Sequence, residues 1–207
     1  METEYNYNIR IATPDDYKYV TEIINELENS AAKRAINIAK RAPEYIIDKI
    51  DNRLAVVATD ADTGQWVGFS CLEVWEHKKY VIATALIISP KYRNTGISRK
   101  IKNLLFQHYQ ESYPDATLFS ITKSEAVICI NKELGYIKVP NNEVLNDVLF
   151  LTGNNCLLNY TDLLRGETDY VAMIYEPNGI SVKAYVRNKT VALQSMQMKY
   201  FASALDS

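Results

Sequence analysis

The sequence predicts a mixed α/β domain, and three observations carry that prediction. Apolar segments of strand length alternate with amphipathic helical patterns through most of the 207 residues. Residues 54–59 and 66–75 flank the turn sequence Asp-Ala-Asp-Thr-Gly, which is typical of a hairpin. Residues 80–88 are almost wholly apolar, as expected of a central strand covered on both faces.

The individual elements follow from periodicity and from turn and capping residues. Thr13 is expected to be a helix N-cap before Pro14, and residues 28–30 are expected to form a turn between the first two helices. Gly135 should end the last helix in a left-handed conformation. The predicted helices cover 14–27, 31–41, 44–50, 96–112 and 124–134. The predicted strands cover 5–12, 54–59, 66–75, 80–88, 116–122, 136–139 and 169–176.

Composition and charge indicate a protein of the reducing cytoplasm. No apolar run approaches the roughly 18 residues of a membrane span, and the first five residues lack the pattern of a secretory signal. The net charge of −2 indicates no preference for nucleic acid. The three cysteines lack metal-site spacing, so no metal is expected. Cys71 and Cys129 stand in apolar surroundings and are predicted to be buried free thiols.

The most informative segment is 87–98, where an apolar strand ends, a polar turn follows and a helix begins. A Ser-Pro pair closes the strand, Arg93 to Gly96 form the turn, and Ile97 opens the helical pattern. The first N–H groups of a helix lack intrahelical acceptors and lie at the positive end of its dipole, so this junction suits an anion such as phosphate. Gly96 leaves room for a backbone that cups a phosphate.

The charge distribution favours an anionic ligand at the same place. Between His77 and Gln110 the sequence has seven Lys or Arg residues and no Asp or Glu, which leaves −9 for the rest of the chain. A run of like charge is ordinarily a solvated helix face. Its overlap with the glycine loop makes a polyanionic ligand the better interpretation.

The spacing Arg93-x-x-Gly96-x-Ser98 resembles the acyl-CoA pyrophosphate loop of the GNAT superfamily of N-acetyltransferases, usually Arg/Gln-x-x-Gly-x-Gly/Ala. The order of predicted elements from Tyr7 to Glu176 also matches that family. The resemblance implies a GNAT-type α/β fold, in which a mixed, mostly antiparallel sheet flanked by helices splays open after the fourth strand. The pantetheine arm of acetyl-CoA would lie in the split.

The predicted domain organisation combines this resemblance with the length of one loop and the strand-like pattern of the last residues. The GNAT domain would cover 1–177, and its long connection 141–166 would be a lid that covers the acceptor site together with the 28–30 turn. Residues 178–207 would be an extension with strands that pack on the domain or on a partner subunit, as in a homodimer.

By this resemblance, backbone groups of the fourth strand would bind the pantetheine amides, and loop N–H groups would hold the pyrophosphate. Arg99 or Lys100 would reach an outer phosphate. Ser124 takes the place of the Asn that begins the family's penultimate helix. The expected cofactor-binding residues are Ile87, Ile88, Arg93, Asn94, Thr95, Gly96, Ile97, Ser98 and Ser124.

The candidate catalytic residues depart from the family's usual pattern. Asn131 stands where the family often has a Tyr that protonates the leaving thiolate, and Asn is no general acid, although it could hydrogen-bond the sulfur. The resemblance also implies a general base, since some family members carry a Glu on the fourth strand. Residues 80–88 contain no Glu, so Glu73 on the preceding strand is the substitute general base if it is partly buried. A Glu on the solvent face of an edge strand would look the same. Thr84 could order a water in place of a base.

These observations predict transfer of an acetyl group from acetyl-CoA, as co-substrate, to a primary amine. The amine attacks the thioester while a backbone N–H near Ile88 stabilises the oxyanion. The acceptor could be a small molecule, an amino acid or a protein terminus. The alternative is a non-catalytic acyl-CoA-binding module, because the usual Tyr and strand Glu are missing. A third hypothesis, nucleic-acid binding by the basic block, lacks exposed aromatics and a known motif.

Overall fold

The computed structural model describes residues 5–33, 41–75, 80–140 and 170–179. Within them, a seven-stranded sheet has the order β1-β2-β3-β4-β5-β7-β6. The strands are β1 (Tyr7–Ile11), β2 (Ala55–Asp60), β3 (Trp66–Trp75), β4 (Tyr80–Ile88), β5 (Thr117–Thr122), β6 (Ile137–Val139) and β7 (Val171–Tyr175). The helices are α1 (Val20–Lys33), α2 (Pro43–Asp51), α3 (Ile97–Ser112) and α4 (Glu125–Glu133), with 3-10 turns at Pro14–Tyr19 and Pro90–Tyr92. The predicted connection 141–166 and all but the first two residues of the extension 178–207 lie outside the described residues.

The sheet is antiparallel except for one parallel pair, and that pair opens the split that the resemblance implied. β4 pairs with β5 only through 80–82 against 117–119. Beyond Ile82, β4 keeps its pairing with β3, while β5 pairs with β7. Residues 83–88 of β4 therefore have an edge that no described strand covers. The mixed sheet, its flanking helices and its opening after the fourth strand confirm the predicted fold class.

Different helices cover the two faces of the sheet, because successive side chains of a strand point in opposite directions. Val56 of β2 joins a buried cluster with Ile101 of α3, to which α4 also contributes. Its neighbour Val57 packs on the other face with Ile23 of α1 and Ile46 of α2. The split between β4 and β5 therefore opens between an α3–α4 layer and an α1–α2 layer.

The chain enters α1 through a 3-10 turn that Asp16 holds in place. Thr13 has the extended dihedrals of an N-cap, as predicted, and its backbone N–H donates to Asp16 Oδ2 at 2.9 Å. The Arg10 guanidinium donates to both oxygens of the same carboxylate, at 2.6 and 2.8 Å. The buried Asp16 carboxylate thus accepts from three N–H groups and fixes the connection between β1 and α1.

The predicted turn at 28–30 is wrong, because α1 continues without interruption to Lys33. That segment contains neither Gly nor Pro, and Ala31 extends the buried face of the helix one turn beyond Leu27. The 28–30 segment therefore cannot form an acceptor-site turn, although Ser30 and Ala31 still reach the opening between β4 and β5 from the helix.

The prediction for one cysteine is also wrong. Cys71 is buried as expected, but Cys129 is exposed, and its thiol donates to Glu133 Oε1 at 3.6 Å. The apolar neighbours Ile128 and Ile130 are buried, but the helical turn between them points Cys129 outward. Apolar sequence context alone did not determine which side of the helix the thiol occupies.

Replacing Asp16 with Ala should lower the free energy of unfolding by about 1–3 kcal/mol, because the change removes a helix cap and an ion pair at one buried carboxylate. Asp15→Ala is the matched control, since Asp15 is the exposed neighbour in the same turn. Urea unfolding of both variants measures the difference. Equal stability of the two variants would contradict the role assigned to Asp16.

Candidate functional site

Where β4 and β5 separate, the structure has a cleft of about 450 Å³. β4 forms one wall, the end of β5 and the start of α4 form the other, and α1 and the start of α3 close the sides. The described residues that line it are Leu27, Ser30, Ala31, Ser70, 82–88, Arg93, Asn94, Ser98, Lys102, 120–124, Ala126, Val127, Ile130 and Tyr170.

The structure brings six of the nine predicted cofactor residues to this cleft, namely Ile87, Ile88, Arg93, Asn94, Ser98 and Ser124. The other three, Thr95, Gly96 and Ile97, lie in the same loop without lining the cleft. The Thr95 hydroxyl donates to Tyr92 O at 2.8 Å and accepts from the Tyr7 hydroxyl at 2.8 Å. The Ile97 side chain is buried in the core, so only its backbone is available to a ligand.

The loop before α3 has backbone N–H groups without a protein acceptor. Asn94 and Gly96 have left-handed backbone conformations, with φ of 62° and 79°, and a Cβ on Gly96 would meet no atom within 4 Å. In the described part of the chain, the N–H groups of 94–98 find no acceptor, whereas the Arg99 N–H donates to Gly96 O at 3.1 Å. Left-handed residues just before a helix arrange such N–H groups into a concave site that suits an anion.

The Arg93 guanidinium anchors this loop to two other elements. It forms an ion pair with Glu26 of α1, and its Nε donates to Ile88 O at the end of β4 at 3.2 Å. Arg99 is also engaged, since Glu133 of α4 accepts from it at 2.8 and 2.9 Å. Both guanidinium groups therefore hold protein elements together around the loop.

β4 carries a bulge in the middle of the cleft wall. The pairing with β3 shifts there, so that Ala85 and Leu86 together oppose Ser70. Ala85 has φ of 54°, a left-handed conformation that costs a non-glycine residue on the order of 1–2 kcal/mol. Ser70 Oγ donates to Thr84 O at 2.9 Å beside the bulge. The sequence gives no signal for this feature, because the segment contains no Gly or Asn.

Three cationic side chains line the cleft, and no Asp or Glu is among the described residues that line it. Arg93 is paired with Glu26, and Lys123 is exposed, with Nζ 4.5 Å from the ring centroid of Tyr170. Lys102 is only 3% exposed, and no described residue forms an ion pair or hydrogen bond with it.

Burial therefore dominates the chemistry of Lys102. Its ammonium lies 5.7 Å from the centroid of the Tyr136 ring, and desolvation lowers the pKa of Lys102 to about 8. Sequence reasoning counted Lys102 only as one member of the basic block. The available signal was its position one helical turn after Ser98 and next to Ile101, on the inward side of α3.

Glu73 is buried, so it does not lie on the solvent face of an edge strand, which was the alternative that the sequence left open. It is 8% exposed on the α1–α2 face of β3, and the Tyr45 hydroxyl donates to its carboxylate. Burial raises the pKa of Tyr45 far above its usual range, so the phenol keeps its proton. Glu73 pairs across the strands with Ile82, which lines the cleft, but Glu73 itself does not line it.

Asn131 is fully buried behind β5 and does not line the cleft. Its Nδ2 donates to Ser120 Oγ at 2.9 Å, and its Oδ1 has no partner among the described residues. Ser120 lines the cleft, so Asn131 acts on the cleft only through that hydroxyl. The same helix begins as predicted, since Ser124 Oγ accepts from the Val127 N–H at 3.4 Å.

The sequence matches no protein-family model and no curated protein. Solved structures do match. Rv2747 from Mycobacterium tuberculosis, in complex with CoA, is 16% identical, with a TM-score of 0.60 over 82% of this chain and 98% of that one. N-acetylglutamate synthase from Neisseria gonorrhoeae, complexed with coenzyme A and N-acetyl-glutamate, is 14% identical, with a TM-score of 0.56 over 84% of this chain. The chain has the GNAT fold.

The matched region covers nearly the whole chain of some of these structures and only part of the chain of others. The chain spans 36% of the length of the gonococcal synthase. It covers 96% of yncA from Salmonella typhimurium, solved with its cofactor acetyl-CoA, at 16% identity and a TM-score of 0.56 over 85% of this chain.

The described residues contain neither a cluster of metal-ligating side chains nor a helix that could cross a membrane. Among these residues, no group of three or more His, Cys, Asp or Glu is placed to hold a metal ion. None of the described helices combines the length and the apolar character needed to cross a membrane.

Lys102→Met should raise the free energy of unfolding at pH 7 by up to about 3 kcal/mol, because it removes a buried, unpaired ammonium. The pKa of Lys102 is lower in the folded chain than in the unfolded chain, so between pH 8 and 10.5 the unfolded chain binds more protons. The wild-type protein therefore gains stability as the pH rises through this range, and the advantage of the variant should shrink.

Urea unfolding at several pH values between 7 and 10 measures this change. Lys132→Met, at an exposed position on α4, is the control and should show little difference from wild type at any pH. A difference between Lys102→Met and wild type that stays constant with pH would contradict a lowered pKa of Lys102.

Proposed function

We propose that the protein transfers an acetyl group from acetyl-CoA to a primary amine. The observation that carries the proposal is the cleft at the β4–β5 split of a GNAT fold, with three cations and no carboxylate in its described lining. At its mouth lies a loop with N–H groups that have no acceptor within the described part of the chain. A ligand with a polyanionic head and a long uncharged arm fits this combination of features.

The loop before α3 is proposed to hold the pyrophosphate through the N–H groups of 94–98. Arg93 fixes the loop against α1 and β4, so these donors are in place before the ligand binds. The uncovered edge of 83–88 offers N–H and C=O groups to the pantetheine amides, in the manner of an added strand. Ser124 lines the opposite wall at the start of α4.

The oxyanion of the reaction is proposed to be stabilised by the backbone N–H of Ile88. The next residue, Ser89, donates its N–H to Val67 O of β3 at 2.9 Å. Because N–H groups alternate in direction along a strand, the Ile88 N–H points away from β3 and toward the cleft. A fixed backbone donor of this kind stabilises negative charge that develops on a carbonyl oxygen.

The amine is proposed to approach from the α1–α2 side of the split and to lose its proton through water. Thr84 lines the cleft on that face and is placed to order such a water. Glu73 lies on the same face but one strand away, so its proposed role as a base is exerted through water. The acceptor is a small amine, an amino acid or a protein terminus.

Gly96→Asp should weaken binding of acetyl-CoA by at least about tenfold, because it adds a negative charge and a strained left-handed residue where the pyrophosphate would sit. Gly64→Asp is a matched control. Gly64 also has a left-handed φ, of 69°, with no atom within 4 Å of an added Cβ, but it lies in the β2–β3 turn. Isothermal titration calorimetry of both variants measures the effect. Equal affinities would show that this loop does not hold the cofactor.

A panel of amines tests the reaction itself. The panel should include free amino acids, polyamines and peptides with free N-termini, and release of CoA from acetyl-CoA is followed with a thiol reagent. We expect at least one acceptor to accelerate this release. Tight acetyl-CoA binding with no accelerated release would favour the second candidate, a non-catalytic acyl-CoA-binding module. The burial of Asn131 away from the cleft is the observation that favours that candidate.

A further inference from the structure

In the proposed acetyl transfer, no residue has yet been assigned to the departure of the CoA sulfur. When the tetrahedral adduct collapses, the C–S bond breaks and its electron pair stays on the sulfur, and a proton donor beside the sulfur would favour this step. Asn131, at the position where the resemblance implied a tyrosine, is buried behind Ser120 and has no acidic proton to give. A proton donor for the sulfur is therefore to be sought among the other residues that line the cleft.

We propose that Lys102 is the general acid that protonates the departing CoA thiolate. This inference rests on the proposed acetyl transfer and identifies a catalytic residue for it. Lys102 lines the cleft from α3, and its side chain also borders a small void with Ala83, Leu118 and Tyr136. Ala83 is the first residue of β4 after its pairing with β5 ends, so Lys102 lies at the closed end of the split.

The buried ammonium needs an anion, and the described protein does not provide one. Buried charges in proteins are ordinarily paired, because desolvation of an isolated ion is costly. The side chains that face Lys102 across the small void are apolar, apart from the Tyr136 phenol. Burial raises the pKa of Tyr136 well above its usual value, so Tyr136 stays neutral. A thiolate formed in the cleft would supply the missing negative charge.

The other cations of the cleft are unsuitable proton donors. Arg93 does not release a proton at physiological pH and is paired with Glu26. Lys123 is exposed to solvent at the rim. Lys102, which also lines the cleft, has a pKa of about 8, close to that of an ordinary thiol. Proton transfer between the two groups is therefore nearly balanced in energy.

The atoms and protons of this step balance. The amine nitrogen forms the new C–N bond and loses one proton to water, while Lys102 Nζ gives one proton to the sulfur. The products are the N-acetylated acceptor, CoA with a neutral thiol, and Lys102 as a neutral amine. Lys102 then recovers its proton from water through the cleft, so no oxidant or additional co-reactant is required.

The two proton-handling groups would lie on opposite faces of the sheet. Thr84 and Glu73 face the α1–α2 layer, from which the amine is proposed to enter. Lys102 belongs to α3 in the other layer. The split places the reacting carbonyl between the two layers, so the proton leaves on one side and is supplied on the other.

The first test needs no acceptor and measures the bound product. CoA is bound to wild type, Lys102→Met and Lys132→Met, and the ultraviolet absorbance of the thiolate is titrated against pH. With Lys102 next to the sulfur, the thiol in the wild-type and Lys132→Met complexes should ionise at a pH about one unit lower than in Lys102→Met. Identical titrations in all three complexes would overturn the proposal.

The second test compares two acetyl donors with an acceptor identified in the amine panel. With acetyl-CoA, Lys102→Met should lower kcat by about 100- to 10,000-fold. With the selenoester analogue the loss should be less than about tenfold, because a selenolate is a much weaker base than a thiolate and leaves without a proton. Lys132→Met should match wild type on both donors.

The remaining outcomes separate failure of this role from failure of the proposed function. An equal loss on both donors would mean that Lys102 has a structural role, and this result would overturn the acid role. Undiminished activity of Lys102→Met would overturn the acid role alone. If wild type transfers acetyl to no acceptor while CoA still binds, the proposed function fails and the acid role fails with it.

Discussion

The short parallel pairing between β4 and β5 is the constraint on which the rest of the structure depends. After three paired residues on each strand, β5 continues against β7, and β4 is left with one uncovered edge. Unpaired backbone groups at a sheet edge invite an added strand. The ends of α3 and α4 converge on this opening, and Ala85 holds a bulge in its wall. The cleft is therefore a direct result of strand order and register.

Around the cleft, the two guanidinium groups stabilise the structure, whereas backbone N–H groups are left to bind an anion. The guanidinium groups of Arg93 and Arg99 are engaged with Glu26 and Glu133, so they fix the loop between β4 and α3. The N–H groups of that loop, which have no acceptor within the described part of the chain, remain available to an anion. Lys102 is the exception, because its charge is buried and unpaired within the described residues. A protein that tolerates this cost of burial gains a cation whose pKa is lowered to about 8.

The two helical layers also make the two sides of the cleft chemically different. Glu73 and Tyr45 form a hydrogen-bonded pair on the α1–α2 face, whereas Asn131 and Ser120 form one on the α3–α4 face. In each pair one member is buried and does not line the cleft, Glu73 in the first and Asn131 in the second, whereas Ser120 lines the cleft directly. Burial of Glu73 and Asn131 keeps their hydrogen bonds strong.

The sequence alone determined the element order and much of the loop before α3. The bounds of β3 and β4 agree with the predicted 66–75 and 80–88, because alternation, apolar runs and turn residues are local signals. The tertiary structure decided the direction in which single side chains point. Cys129 faces outward from an apolar stretch, Glu73 is buried, Ala85 has a left-handed backbone, and Lys102 faces the core from a basic block. Each of these outcomes depends on elements distant in sequence that pack against the residue, and local periodicity alone does not fix them.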